Sequence, residues 1–141
     1  MVVNLKKFNK KRIFDQNYFL YFEEIDLCKK IKNNSGNIFF LKELKVNHLG
    51  FKGSIGGKKS KDNEAQNLRN WHYMWSSFYY YRKNYNYFYA LSKMFGKLVR
   101  SFLKTLFYTM VFKTGKRNKY LFRLMGILSS LFGMTSYYRI K

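Results

Sequence analysis

The sequence contains no proline, one cysteine, few acidic residues and no long hydrophobic run. The single Cys28 excludes a disulfide scaffold and a cysteine-rich zinc module. The longest stretch without a charged residue, Leu124–Tyr138, is shorter than the roughly 20 apolar residues that a membrane-spanning helix needs. No targeting segment follows Met1, where basic residues come almost at once. We therefore expect a small folded chain without a transmembrane span, located in the cytoplasm.

Positive charge and aromatic side chains dominate what is present. The 141 residues hold 28 Lys or Arg against 7 Asp or Glu, a net charge of +21, and 21% of them are aromatic. The aromatic content excludes a disordered basic tail. All seven acids lie at or before Glu64, whereas 14 of the basic residues follow it. This balance indicates an anionic partner, either a nucleic acid or a membrane surface.

The chain divides into three parts by composition. Residues 1–50 mix short apolar runs with one amphipathic helix, residues 51–67 form a loop rich in Gly, Ser and Lys that we expect to be mobile, and residues 68–141 are basic, aromatic and helical in pattern. The predicted elements are strands at Met1–Leu5, Ile38–Leu41 and Lys45–His48, and helices at Glu23–Asn33, Leu68–Lys83, Tyr87–Phe112 (with a break near Gly96) and Lys119–Phe132.

The predicted helix Tyr87–Phe112 carries its cations on one face. Lys93, Lys97, Arg100 and Lys104 are spaced by four, three and four residues, with bulky apolar residues beside them. This pattern is typical of a helix lying in a membrane interface. An ordinary amphipathic helix packed on a core, with solvated lysines, has the same pattern. RNA binding would use the same charges, but the sequence contains no RNA-binding motif.

Three of the seven acids, Glu23, Glu24 and Asp26, stand within four residues. One interpretation is compensation of the helix dipole at a helix N-terminus. The other is a general base held beside a cationic or metal site. Composition alone does not separate the two.

Three segments resemble family 2 inverting glycosyltransferases of the rhamnosyltransferase-like branch. The string FDQNYFLYFEEIDLCKK at 14–30 resembles that family's FDExFFLYFEExDLCxR segment. The string KVNHLG at 45–50 is similar to its V-x-H-x-G segment, and RNWHYMWSSFYYYRK at 69–83 to its R-x-x-H-x-x-x-S-x-x-x-Y-x-x-K helix. The segments occur in the family's order and cover most of residues 1–90.

The resemblance implies roles for the acids and for a histidine. Glu24 matches the family's catalytic base, which takes the proton from the acceptor hydroxyl as that oxygen attacks the sugar C1, inverting the anomeric centre. Glu23 is the alternative base, and Asp26 would orient the helix start or the acceptor. His48 matches a histidine that helps to bind the divalent metal on the donor diphosphate. A strand-end histidine satisfied by the backbone is the other interpretation.

The third segment supplies a possible ligand-facing surface. Arg69, His72 and Ser76 are spaced three and four residues apart and share one helical face, which the resemblance places on the acceptor or diphosphate side. Trp71 and Trp75 share another face, as interface anchors or as core.

The resemblance implies an α/β fold: a partial GT-A, Rossmann-like, acceptor-side half at 1–50, followed by a basic helical region. The family's Asp-x-Asp motif, which holds Mg²⁺ or Mn²⁺ against the nucleotide-sugar, is absent here. We therefore expect a C-terminal fragment that is inactive alone, whose partners include the missing donor-binding half, a nucleotide-sugar donor and a saccharide or lipid-linked acceptor. The expected location is peripheral, on the inner face of an anionic membrane. The alternative is a small basic accessory protein that binds RNA or a membrane surface.

Overall fold

The computed structural model describes residues 13–39, 42–43, 45 and 59–140. Four helices make up most of this part of the chain, namely α1 (Glu23–Asn33), α2 (Lys59–Asn84), α3 (Tyr87–Met110) and α4 (Thr114–Leu131). Helices α2, α3 and α4 pack against one another as a bundle. No strand occurs among the described residues. None of the described helices is both long enough and apolar enough to cross a bilayer.

The α/β prediction is wrong: the described fold is entirely helical. Ile38, Phe39 and Lys45, which begin two of the predicted strands, have no regular structure, and the rest of the three strand candidates lies outside the described residues. A short apolar run forms a strand only where a neighbouring strand takes up its backbone hydrogen bonds. The described part of the chain contains no such neighbour, and its aromatic side chains instead recur at helical spacing.

The predicted helix Glu23–Asn33 is confirmed at both ends by α1. Its first turn holds three acids and its last turn Lys30 and Lys32, an arrangement that the helix dipole favours. The chain leaves the helix through Ser35, whose backbone is left-handed (φ 57°), and the Gly36 N–H donates to the Ile31 carbonyl at 2.8 Å. The helix therefore stops where Ser35 and Gly36 predict.

The later helices differ from prediction mainly in their bounds. Helix α2 begins at Lys59, nine residues before the predicted Leu68, so the end of the segment expected to be a mobile loop is helical. Helix α3 is continuous through Gly96, and α4 begins at Thr114 rather than Lys119.

The core lies between α2, α3 and α4. Trp71 and Trp75, for which core and interface positions were both open, are buried in it. A Cβ atom built on Gly126 of α4 would collide with the Trp71 carbonyl, so α2 and α4 approach most closely where Gly126 has no side chain. One core cluster consists of Met74, Phe78, Ala90, Met94 and Ile127, and Tyr18, Leu27 and Tyr80 are buried as well.

The segment after α4 crosses back over α2 and reaches the segment before α1. The Trp75 indole N–H donates to the Met134 carbonyl at 3.0 Å. The buried Ser136 hydroxyl donates to the Asn17 carbonyl at 2.7 Å, across 119 residues of sequence. These bonds hold the two outer segments, residues 13–22 before α1 and 132–140 after α4, on the same side of α2.

Candidate functional site

Two aromatic residues in unusual backbone conformations lead into α1. Tyr21 (φ 68°) and Phe22 (φ 69°) are both left-handed, which is rare for bulky side chains and costs about 1–3 kcal/mol each. Their rings lie against α2, with centroids 5.7 Å apart for Tyr21 and Tyr73 and 5.4 Å apart for Phe22 and Tyr80. This packing stabilises the tight turn before α1, which brings the acidic first turn of that helix beside α2.

The three acids of α1 have different surroundings. Asp26 is buried, 5% exposed, and accepts hydrogen bonds from Lys83 Nζ at 2.5 Å and from Asn84 Nδ2 at 2.8 Å. Glu23 is half-buried, and its Oε2 has no hydrogen-bond partner among the described residues. Glu24 is exposed. Glu24 is thus the carboxylate most open to a ligand, while Asp26 is engaged by the protein.

Lys83 of α2 lies between two carboxylates. Its Nζ is 2.8 Å from Asp15 Oδ2 as well as 2.5 Å from Asp26 Oδ2. The Tyr79 hydroxyl donates to Asp15 Oδ2 at 3.0 Å, and the Asn17 backbone N–H donates to Asp15 Oδ1 at 2.9 Å. We call Asp15, Asp26 and Lys83 the Lys83 cluster. It joins the segment before α1, α1 itself and the end of α2.

The cluster shifts the pKa values of its members. Partial burial alone raises the pKa of Asp15, but the hydrogen bonds from Lys83, Asn17 and Tyr79 outweigh it and hold that pKa below its usual value. Burial alone lowers the pKa of Lys83, but its bonds to Asp15 and Asp26 outweigh burial and raise it. Both members of the pair therefore remain charged over a wide pH range.

An open cavity of about 490 Å³ lies beside the cluster. Its lining includes Asp15, Asp26 and Lys83, together with Lys30 and Asn33 from the same face of α1. Carboxylate, ammonium and amide groups therefore face one space, with both donors and acceptors of hydrogen bonds. Such a lining suits a polar ligand with several hydroxyl groups.

The ligand-facing residues predicted on α2 are placed differently from one another. His72 and Ser76 are fully buried. The Ser76 hydroxyl donates to the Leu20 carbonyl at 2.7 Å, and His72 Nε2 donates to the Tyr138 carbonyl at 2.8 Å. Arg69 is half-buried, with its Nη1 3.5 Å from Gln66 Oε1. In this structure His72 and Ser76 bind the two outer segments to α2, and their proposed role toward acceptor or diphosphate stays a prediction.

Burial also sets the protonation state of His72. Burial lowers its pKa below the usual value, and the nearby Arg139 lowers it further, against the opposite effect of the bond to Tyr138. Its Nδ1 is buried without a hydrogen-bond partner among the described residues. A proton on Nδ1 would therefore be both unpaired and desolvated, so His72 is neutral near pH 7.

The described residues do not fit a divalent metal. No three His, Cys, Asp or Glu side chains of this part of the chain are grouped as metal ligands. Asp15 and Asp26 come together, but the Lys83 ammonium already binds both carboxylates where a hard cation would have to bind. His48, the predicted metal ligand, lies outside the described residues. The expectation of Mg²⁺ or Mn²⁺ in a complete enzyme stays a prediction.

Sequence reasoning missed the roles of Asp15 and Lys83, although both stand in the segments that carry the family resemblance. Asp15 is the aspartate of the first segment, and Lys83 is the last residue of the third. Their pairing across 68 residues is a tertiary contact that no local pattern reveals.

Comparison with known proteins gives no match to a family model, to a curated protein or to a solved structure. The likeness to glycosyltransferases is thus a similarity of short motifs.

Proposed function

We propose that this chain is the acceptor-side, carboxylate-bearing part of an inverting sugar transferase of the family 2 type. One observation carries the proposal: residues that define the first and third resembling segments contact each other. Lys83 binds Asp15 and Asp26, and Ser76 donates to the Leu20 carbonyl. Two motifs more than 50 residues apart therefore form one site around the start of α1, as parts of a single catalytic arrangement would.

Glu24 is the group placed to act as general base. Its exposed carboxylate would take the proton of an acceptor hydroxyl while that oxygen forms a bond to C1 of the donor sugar. The bond from C1 to the donor's diphosphate breaks, and the leaving diphosphate keeps the electron pair. Attack opposite the leaving group inverts the anomeric centre. Glu23, one residue earlier, is the alternative base.

Asp26 acts as a positioning residue in this proposal. Both of its oxygens accept hydrogen bonds from side chains of α2, so neither oxygen faces a substrate hydroxyl unoccupied. Because Asp26 lies in the first turn of α1, the Lys83 cluster sets the position of the turn that carries Glu23 and Glu24. A rigid support of this kind is what a base needs to meet its substrate in reactive geometry.

The cavity beside the Lys83 cluster, which neither Glu23 nor Glu24 lines, is proposed to hold the part of the acceptor that lies away from its reacting hydroxyl. Sugar hydroxyls both donate and accept hydrogen bonds, and Asp15, Lys30 and Asn33 offer matching groups. The acceptor is a saccharide or a lipid-linked saccharide, as in the assembly of surface polysaccharides. The nucleotide-sugar is held by a separate donor-binding part in this proposal, since the sequence contains no Asp-x-Asp motif.

Exchange of Glu24 for Gln in cells that carry this gene tests the proposal. Membranes from these cells are supplied with labelled nucleotide-sugars, and label in the lipid and polysaccharide fractions is measured. Loss of a general base lowers transfer by about 10²–10⁴-fold. Glu64→Gln, which neutralises another exposed helical acid, is the matched control and is expected to leave transfer unchanged. Equal transfer in the Glu24→Gln and Glu64→Gln strains, with Glu23→Gln also active, contradicts the proposal.

Isothermal titration tests the dependence on a donor-binding part. The chain alone is titrated with a panel of nucleotide-sugars, and we expect no binding in the micromolar range. Micromolar binding of any one of them would show that the donor site is formed by this chain itself.

A further inference from the structure

Helix α3 exposes an apolar face that nothing in the described structure covers. Phe88 is 81% exposed and Met110 is 79% exposed, at opposite ends of the helix. Between them lie Phe95, Phe102 and Leu106, each about half exposed. The spacing of these five residues is seven, seven, four and four, which places them along one side of the helix. The opposite side of α3 packs into the bundle through Ala90, Met94 and Ser101.

The connection from α3 to α4 extends this face. Phe112 is 89% exposed, and its backbone is left-handed (φ 55°). Exposure of the ring and the left-handed conformation are each unfavourable, and glycine or asparagine at this position would avoid both. Because the described residues do not account for Phe112, a contact outside them is the best explanation for the exposed ring. With Met110 and Val111 it forms an apolar tip.

Cations border the apolar face. Arg100 is exposed beside Leu103 on α3, and Lys113 and Lys116 flank the tip. Phe95, Gly96 and Leu103 line an apolar groove whose rim is formed by Arg100 and Lys104. No acid occurs after Glu64 in the sequence, so the charge of this surface is of one sign. Its partner must therefore be anionic as well as apolar.

We propose that this surface, the apolar face of α3 together with Met110–Phe112, binds an anionic lipid bilayer. The rings and aliphatic side chains enter the boundary between headgroups and acyl chains, and the bordering cations contact lipid phosphates. A second copy of the chain fits poorly, since apposed copies would bring equal positive charges together. RNA fits less well than a bilayer, because Leu103, Leu106 and Met110 lie among the exposed Phe rings and offer no ring on which a base can stack. The proposal is independent of sugar transfer.

Vesicle co-sedimentation of the whole chain tests the proposal. Vesicles of phosphatidylcholine alone are compared with vesicles that contain phosphatidylglycerol as well, at low and high salt. We expect strong binding to the anionic vesicles, weakened by salt, and weak binding to the neutral ones. Lys113→Gln with Lys116→Gln is expected to lower the partition coefficient about 30-fold, roughly fivefold per cation. The control pair Lys32→Gln with Lys42→Gln, both exposed and outside α3, removes the same charge and is expected to change it little.

The apolar contribution has its own matched variants. Phe112→Asn is expected to weaken binding to anionic vesicles roughly tenfold, because one ring leaves the interface. Phe39→Asn removes a ring of similar exposure, 79%, outside α3 and is expected to leave binding unchanged. Phe112→Trp adds a probe: brominated lipids quench its fluorescence if the tip inserts, while the buried Trp71 and Trp75 stay unquenched.

Three results would overturn the proposal. The first is equal vesicle binding by Phe112→Asn and the unaltered chain. The second is an equal loss of binding in the control pair and in the pair Lys113→Gln with Lys116→Gln. The third is salt-dependent filter binding to RNA, or concentration-dependent dimers in sedimentation, without any association with vesicles.

Discussion

Lys83 of α2 holds its ammonium 2.5 Å from the carboxylate of Asp26 on α1, although 57 residues separate them in sequence. Asp26 is almost fully buried, whereas the Lys83 side chain is 36% exposed. The carboxylate of the pair is therefore buried, and the ammonium lies at the protein surface. Removal of the lysine leaves a buried carboxylate without its counter-ion, which is the costly way to break such a pair.

Lys83→Met is expected to lower the free energy of unfolding by about 2–3 kcal/mol, below the roughly 3–5 kcal/mol of a fully buried pair because water reaches Lys83. Urea unfolding measures the loss. Lys83→Met combined with Asp26→Asn is expected to recover part of it, since the unpaired charge is then gone. Simple additivity of the two substitutions would contradict a coupled pair.

Two glycines in helices are expected to respond oppositely to alanine. Gly126→Ala drives a methyl group into the Trp71 carbonyl and is expected to destabilise the fold by roughly 2 kcal/mol. Gly96→Ala meets nothing within 4 Å and is expected to stabilise α3 by about 0.5–1 kcal/mol. Thermal unfolding of both variants checks the signs. A loss of stability at Gly96 as large as that at Gly126 would contradict the open surroundings described for Gly96 on α3.

Stability is expected to fall in mild acid because of His72. Its pKa is lowered in the folded state, so its contribution is present above the usual pKa of 6.5 and is lost as pH falls through the folded pKa. Proton NMR titration measures this directly, since the sequence holds two histidines. His48→Gln assigns the remaining resonance to His72. A midpoint at or above 6.5 would show that the ring is not buried as described.

The Asp15–Lys83 pair is expected to contribute stability over a broad range of pH. The lowered pKa of Asp15 makes its contribution present above 3.8 and lost as pH falls through the folded pKa. The raised pKa of Lys83 makes its contribution present below 10.5 and lost as pH rises through the folded pKa. Asp15→Asn is expected to make the free energy of unfolding depend less strongly on pH in the acid range. An unchanged dependence would mean that other carboxylates determine it.

Predictions from the sequence were accurate where the structure depends on neighbouring residues, and inaccurate where it depends on distant contacts. The bounds of α1 could be predicted because acids begin it, lysines end it and Ser35-Gly36 follows, all local features. The start of α2 could not, because the residues before Leu68 are almost all polar and show no helical period. The strand predictions depended on apolar runs alone, which form strands only with distant partners.

The acidic residues of the candidate site could be predicted from the sequence, but the tertiary packing that holds them in place could not. Glu23, Glu24 and Asp26 stand out as a local cluster, but burial of Asp26 and exposure of Glu24 depend on how α1 packs on α2. The apolar face of α3 was visible only as helical periodicity. Which side of the helix faces the bundle, and that Phe112 stands free at its end, are decided by tertiary packing.

The bond from Ser136 to the Asn17 carbonyl has a consequence for the order of folding during synthesis. A growing chain can form the α2–α3–α4 bundle as those helices emerge, but Asn17 gains this partner only after Ser136, 119 residues further along, has left the ribosome. Translation is therefore expected to yield first a bundle of α2, α3 and α4, and the attachment of the segment before α1 only after Ser136 has emerged.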